Sequence, residues 1–393
     1  QLRSFMQENN IIIDDQSGFR PYHSTETILL DSTNEWLKNM DKGLMNGVLF
    51  LDLKKAFDTV NHEILLHKLE LYGVRGRSQQ WFRSYFSNRK QVCAVNGKLS
   101  DEKEIHCGVP QGSNVGPFWF LLYINDLPSC LQTTKARLFA DDTTLSATGL
   151  TVDEIERKLN VDPWLIANKL TLNESKTEFI IIGSRQRVPS FEKGPLIRLG
   201  DKVIKRVPHK KTLGVILDEQ LQWDKHNEEQ SKTISKNIAL LRRAKSFVPR
   251  HALEKMYNAF IIPHFYYCST VWYDGSKDKL TKMSKLQKKA ARIITGDSYD
   301  IRSNEEFQKL NWLPMNTHLK IRENIATFKA LTGNSPAYLT NLLNRCSNEI
   351  YNLRSNFDQL SLAEPNTNFL KKVFVQTSKI VEQPSLNFNA KYR

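Results

Sequence analysis

No stretch of the 393-residue chain approaches the ~18 consecutive apolar residues of a membrane-spanning helix. The densest run, Phe118-Trp119-Phe120-Leu121-Leu122-Tyr123-Ile124, is far too short, so no membrane span is expected. No charged start leading into an apolar core is visible at the N-terminus, so secretion is not expected either. Cysteine is scarce and scattered. Cys93, Cys107, Cys130, Cys268 and Cys346 include no C-x-x-C pair, which argues against a zinc site or a disulfide framework and fits a reducing, intracellular compartment. No internal repeat is present. Acid is in deficit: 42 Asp+Glu stand against 56 Lys+Arg, a net charge of +14. Such an excess favours a polyanionic partner, nucleic acid or an acidic membrane, and says nothing about fold.

The composition is that of a globular protein, with 40% hydrophobic and 25% charged residues and enough length for two or three domains. Residues 1–45 read as helical, broken by a turn at Gln16-Ser17-Gly18. Gly47 to Leu53 reads as a buried strand that carries an acid near its end. A helix follows and stops at Gly73, and Asn96-Gly97 signals a hairpin. The loop from Gly108 to Pro117 opens a further helix. Arg137 to Ala147 reads as two strands around Asp141-Asp142, and Phe179–Gly183 and Thr212–Leu217 as two more. Beyond about Lys225 the strands largely give way to helices. Residues 225–292 hold 15 Lys/Arg against 5 acids, so an excess of ten falls in this one segment and marks a domain boundary near 220.

Two features suggest chemistry. Asp141-Asp142 sits between two short strands, where paired carboxylates repel and lose hydration unless a cation compensates them. Asp52 likewise ends an apolar strand. Acids at neighbouring strand ends suit two divalent ions that activate an attacking hydroxyl and steady a leaving phosphate. From their spacing alone, the same acids read more readily as surface loop residues. The second feature is Gly108-Val109-Pro110-Gln111-Gly112-Ser113, whose glycines let backbone approach a ligand ahead of a helix N-terminus. It is not a Walker A loop, because no Gly-Lys-Ser/Thr follows. Asp58 and Asp126 read as capping or structural acids, and His62-Glu63 with His67 as helix surface, one residue too long for a His-Glu-x-x-His site. Trp223, Trp272 and Trp312 read as buried aromatics in preference to base-stacking ones.

Segments in one fixed order resemble the reverse transcriptase of non-LTR (LINE-type) retrotransposons, most nearly the jockey and CR1 groups. They are Gln16-Ser17-Gly18-Phe19-Arg20-Pro21, Phe50 to Val60, Gly108 to Ser113 with Tyr123 to Leu127, and Phe139-Ala140-Asp141-Asp142. Asn168 to Asn173 with Ser175-Lys176-Thr177, and Leu213 to Asp218, complete the series. The resemblance implies an α+β right-hand polymerase fold, with partial fingers, a palm whose β-sheet carries the catalytic Asp residues, and a helical thumb. Its domains would be N-terminally truncated fingers and palm over 1–218, a basic thumb over 219–300, and a C-terminal helical extension and tail over 301–393.

The resemblance also implies roles. Asp52, Asp141 and Asp142 match the metal triad, which would hold two Mg²⁺ ions, with Mn²⁺ as an alternative. Lys176 matches a general acid for departing pyrophosphate, and reads equally as a solvated lysine. Phe57 matches a gate against the 2′-hydroxyl. Arg20, Gln111, Gly112 and Ser113 match nucleotide- and template-binding positions, and Leu213, Gly214 and Val215 the primer grip. Partners would be an RNA template, a DNA primer, their hybrid and dNTPs, in nucleus and cytoplasm. The chain opens at Gln1 inside a helical pattern, so the remaining finger segment and an endonuclease are expected on a longer parent polyprotein. Asn114 and the bulky Phe118-Trp119 depart from the family pattern. The leading function is RNA-directed DNA polymerase. The alternative is a decayed or domesticated copy that only binds nucleic acid. Phe57 disfavours an RNA-dependent RNA polymerase, and the segments around Lys176 and Gly214 disfavour an LTR-type enzyme.

Overall fold

The structure, a computed structural model, describes residues 2–110, 112–159, 162–188, 197–199, 202–297, 303–345, 360–361 and 367. It mixes helices and sheets, the α+β class expected. In chain order come α1 (Leu2–Glu8), α2 (Thr25–Asp41), β1 (Met45–Leu51), α3 (His62–Leu71) and α4 (Gly76–Phe86). Four two-residue strands follow: β2 (Lys90–Gln91), β3 (Ala94–Val95), β4 (Lys98–Leu99) and β5 (Lys103–Glu104). Next are α5 (Gly116–Ile124), β6 (Lys135–Phe139), β7 (Asp142–Gly149), α6 (Val152–Lys158), α7 (Asp162–Ala167) and β8 (Glu178–Ile182). Strands β9 (Arg198–Leu199), β10 (Lys202–Val203), β11 (Lys205–Arg206), β12 (His209–Thr212) and β13 (Val215–Asp218) precede α8 (Asp224–Ala244) and α9 (Arg250–Phe260). Contacts divide the chain into two compact units: Gln1–Ser24 with Leu44–Lys210, and Thr25–Gly43 with Lys211–Arg393.

The first unit is built on a five-stranded sheet of order β11-β8-β1-β7-β6. β1 pairs antiparallel with both β7 and β8, and all seven of its residues are buried. That explains why it reads as an apolar run without polar alternation. Met45, Leu49 and Leu51 join Leu145, Ala147, Ile155, Phe179 and Ile181 in one apolar cluster. Gly47 lets α6 close on the strand: a Cβ there would stand 2.2 Å from Ile155 Cγ2 and 3.1 Å from Leu159 Cδ1.

A second cluster gathers α3, α4 and α5. Helix α5 is apolar almost all round, as a fully enclosed helix must be, and Trp119 to Ile124 are all buried. The bulky Trp119 fits because Phe82 and Phe86 meet it edge-on, with centroids 4.7 and 5.6 Å away. Asp126 is structural, as expected: it pairs with the buried Lys68 at 2.7 Å and accepts from Trp164 Nε1. The Asn96-Gly97 hairpin forms between β3 and β4, both residues adopting positive φ.

The expectation that His62 lies on a helix surface is overturned. Its ring is buried, and Nε2 lies 2.7 Å from the Gly108 carbonyl oxygen. His62 faces inward because Gly108 and Val109 dock on the preceding turn, with Gly108 N donating to Val60 O and Val109 N to Phe57 O.

The second unit is predominantly helical. α10 (Ile262–Tyr266), α11 (Ser269–Trp272), α12 (Lys277–Thr295), α13 (Ser303–Leu310), α14 (Met315–Leu331) and α15 (Ala337–Thr340) follow α9. Its core includes Ile234, Ile238, Leu241, Tyr257, Phe265 and Trp272. Helix α2 belongs here: Glu26 pairs with Arg322 at 3.1 Å and accepts from Thr270 Oγ1 at 2.8 Å. The buried Gln287 fixes the entry to α14, donating to Leu313 O and accepting from Met315 N, both at 2.9 Å. Trp223 and Trp272 are buried as read, whereas Trp312 is half-buried and stacks on Tyr257 at 3.9 Å.

Substituting Gly47→Ala forces a methyl into the stiff, buried Ile155 side chain. The expected loss is about 1–3 kcal/mol of unfolding free energy, read from the denaturant midpoint. An unchanged midpoint contradicts this account of how α6 seats.

Candidate active site

Strand register brings the acids together. Leu51 faces Thr143 in the β1–β7 pairing, so Asp52, one residue on, falls level with Asp142, one residue back. On the other side of β7, Phe139 faces Asp142, which leaves Ala140-Asp141 as a two-residue turn at the hairpin tip. Asp52 and Asp141 are half-buried, and Asp142 reaches solvent. Even so, the Asp142 carboxyl is held above its ordinary range, first by lost hydration, then by the charges of Asp141 and Asp52; Lys210 opposes the shift. The three carboxylates therefore share one electrostatic neighbourhood. Among the described residues, no three His, Cys, Asp or Glu side chains converge closely enough to form a ready-made metal cage.

Two braces hold this arrangement, and sequence reading missed both. The first is Gln16. Ala140 adopts φ 58°, a left-handed conformation that strains an alanine. Gln16 Oε1 accepts from Ala140 N at 3.1 Å and from Gly18 N at 2.7 Å, and Ser17 N donates to Leu138 O at 2.7 Å. A Cβ on Gly18 would lie 2.3 Å from Ala140 N, so only glycine lets this segment press against the hairpin. The resembling Gln16-Ser17-Gly18 segment thus acts structurally. Arg20 serves the same loop, its Nη1 donating to Ile13 O at 2.6 Å and Gln16 O at 3.0 Å.

The second brace lies beside Asp52. Its N–H donates to Thr177 Oγ1 at 3.3 Å, and its carbonyl accepts from Asn173 N at 2.7 Å. Lys176 occupies the turn between them, exposed, its N–H donating to Asn173 O at 3.1 Å. Lys210 Nζ donates to Lys176 O and to Glu178 Oε2, both at 2.9 Å. Nothing in the sequence marked Lys210, which stands in the ordinary-looking run His209-Lys210-Lys211.

Phe57, half-buried, stacks on Phe120 with centroids 4.7 Å apart, and its carbonyl receives Val109 N. The Gly108 loop is therefore tied to the Phe57 turn. Gly112, at φ 80°, has open space around it, whereas Ser113 Oγ accepts from Gly116 N, the first amide of α5, at 2.8 Å. Gln111 lies outside the described residues.

Leu213, Gly214 and Val215 belong to the second unit. The stretch read as one strand from Thr212 to Leu217 is two, because Leu213 and Gly214 both take positive φ and turn β12 into β13. Tyr267 Oη donates to Leu213 O at 2.8 Å, and a Cβ on Gly214 would lie 2.8 Å from the Tyr267 ring. Ile216 N donates to Nδ1 of the buried His226 at 3.3 Å. Asp218 accepts from the amides of Gln220, Gln222 and Trp223 and so leads the chain into α8.

Comparison with known proteins adds an independent line. Residues 1–230 match the family profile described as "Reverse transcriptase (RNA-dependent DNA polymerase)". The "Probable RNA-directed DNA polymerase from transposon BS" of Drosophila melanogaster is 26% identical, over 79% of this chain and 36% of its own length. The "RNA-directed DNA polymerase from mobile element jockey" of Drosophila funebris is 25% identical, over 74% of this chain and 33% of its own. The chain thus spans about a third of these curated relatives. Among solved structures, apo telomerase from Candida tropicalis aligns with a TM-score of 0.44 at 12% identity, covering 84% of this chain and 58% of that one.

Burial drives the His226 pKa down to about 4 from 6.5, with Lys211 adding to the shift. The unfolded chain then takes up a proton before the folded one does, so stability falls as pH drops from 6.5 toward 4. This one ring is expected to account for on the order of 2–3 kcal/mol of that fall. Denaturant unfolding at pH 7 and pH 4.5 should show a shallower loss in His226→Gln than in the wild type. Parallel losses contradict the assignment.

Proposed function

Because the chain belongs to the reverse transcriptase (RNA-dependent DNA polymerase) family, we propose that it extends a DNA primer along an RNA template. Its fold is the family's α+β right-hand class. The observation that carries the proposal is the strand register that sets Asp52 level with Asp142, with Asp141 at the adjoining tip of the β6–β7 hairpin. We assign residues 1–218 to fingers and palm, 219–300 to a basic thumb and 301–393 to a C-terminal extension.

The acid set suits a hard divalent cation. Its donors are carboxylate oxygens, and a cation relieves both the lost hydration and the like charge that raise Asp142. We take the ions to be two Mg²⁺, held by Asp52, Asp141 and Asp142. When bound, they would supply Lewis acidity and charge neutralisation at the transferring phosphate. The incomplete convergence of the carboxylates fits ions that draw their remaining ligands from nucleotide phosphates.

The chain's own residues supply position. Gln16 and Gly18 set the hairpin angle, and the Thr177 hydroxyl anchors the Asp52 backbone. The Phe57 ring, fixed by Phe120, is proposed to close the site against a ribose 2′-hydroxyl. Lys176, on its exposed turn, is proposed to give a proton to departing pyrophosphate. Arg20, Gln111, Gly112 and Ser113 are proposed to face nucleotide or template, with Gly112 offering the most open approach. Leu213 to Val215 are proposed to grip the primer. Relative lengths support a longer parent protein.

A binding-only protein is the second reading, favoured by the excess of ten positive charges over residues 225–292. Primer extension on an RNA template with Mg²⁺ separates the two, using the chain alone and joined to the coding sequence upstream of it. Asp52→Asn and Asp141→Asn are expected to lower extension by at least roughly 10²-fold, leaving hybrid binding largely intact. Salt-sensitive hybrid binding with no extension from either form overturns the polymerase reading.

A further inference from the structure

Lys210, like Lys68, is a largely enclosed lysine of the first unit. Its side chain is only 17% exposed, and its ammonium meets Glu178 Oε2 and the Lys176 carbonyl, both at 2.9 Å. The ammonium also lies 5.9 Å from the Phe50 ring centroid, over strand β1. Enclosing a lysine costs hydration, and the usual alternative is to leave it in water. Here each contact converges on the acid cluster. Glu178 opens β8, which faces Phe50 two residues before Asp52. Lys176 belongs to the turn whose Thr177 hydroxyl receives the Asp52 N–H, and whose first residue, Asn173, donates its own N–H to the Asp52 carbonyl.

One ammonium therefore ties the Asn173–Thr177 turn to the sheet where β1 ends in its acid. A neutral side chain of the same length would fill the space and leave the Lys176 carbonyl and Glu178 without this donor. A guanidinium would keep the charge and the donors with altered geometry.

We propose that Lys210 is a positioning residue for the Lys176 turn: its ammonium clamps the Lys176 carbonyl and Glu178, so that Lys176 is held at a fixed place beside Asp52. The clamp rests on the polymerase reading for its purpose, but not for its existence. It does not touch substrate, so the clamp acts on chemistry through Lys176, apart from the charge that Lys210 sets against Asp142. Beyond that charge, removing both residues should cost little more than removing Lys176 alone.

Two measurements on the full chain test it. The first needs no activity: hydrogen exchange at the Lys176 and Thr177 amides, both bonded to Asn173 O. Lys210→Met is expected to speed exchange roughly tenfold and Lys210→Arg much less, the scale of one lost charge-assisted hydrogen bond. Unchanged exchange in Lys210→Met overturns the clamp. The second is single-nucleotide extension. Lys210→Met should lower kcat about tenfold with KM for primer–template unchanged, Lys210→Arg should recover most of it, and Lys210→Met should add under about twofold on a Lys176→Ala background. Full additivity with Lys176→Ala, or no rescue by arginine, overturns the route through Lys176. If neither the chain nor its upstream-joined form extends a primer, the polymerase reading fails, while the exchange measurement still decides the clamp.

Discussion

Like-charge crowding at one end of the palm-type sheet is the constraint around which the first unit is arranged. Strand register brings Asp52 level with Asp142, Asp141 stands at the adjoining tip, and the Asp142 carboxyl is raised, first by lost hydration and then by these two charges. No apolar packing relieves such repulsion. Only a cation, a donor or a shift to the protonated form can do so. The surroundings supply partial answers. Lys210 contributes one positive charge, and backbone and hydroxyl groups hold the flanking chain in place. The remaining imbalance is what a divalent ion is suited to meet, which is why we propose this arrangement as the basis of a site.

Strain and long-range bracing accompany that arrangement. Ala140 is held left-handed at the hairpin tip, and Gln16, 124 residues earlier, accepts its amide. Gly18 allows the approach, and Arg20 spends two donors on the carbonyls of the same loop. The strained tip persists because a rigid neighbour over-determines it, as is common where geometry serves chemistry. In the second unit the Leu213-Gly214 turn shows a similar logic. Two left-handed residues are held by Tyr267, and His226 holds Ile216 just after them.

The acids were legible because strand ends and tight turns are local patterns: an apolar run ending at Asp52, and two short strands flanking Asp141-Asp142. Asn96-Gly97 was legible for the same reason. What stayed hidden depends on pairing across the chain. Gln16 and Gly18 read as a bare turn, since nothing near them in sequence announces Ala140. Lys210 reads as one more charge in a basic run. His62 looked like helix surface because its acceptor, the Gly108 carbonyl, arrives from a loop 46 residues away. Thr212 to Leu217 read as one strand because a leucine rarely takes positive φ, so Leu213 gave no turn signal. The family resemblance supplied roles for these segments, but not the contacts that fix them.

The claim at the centre is that crowded carboxylates form a divalent-cation site completed by nucleotide phosphates. Its most direct measurement is Mn²⁺ binding to the chain with template–primer, followed by electron paramagnetic resonance with and without dNTP. The account predicts weak binding alone, tighter binding once the nucleotide is present, and loss of the nucleotide-dependent part in Asp141→Asn. Binding that is unchanged by the nucleotide or by Asp141→Asn would contradict it.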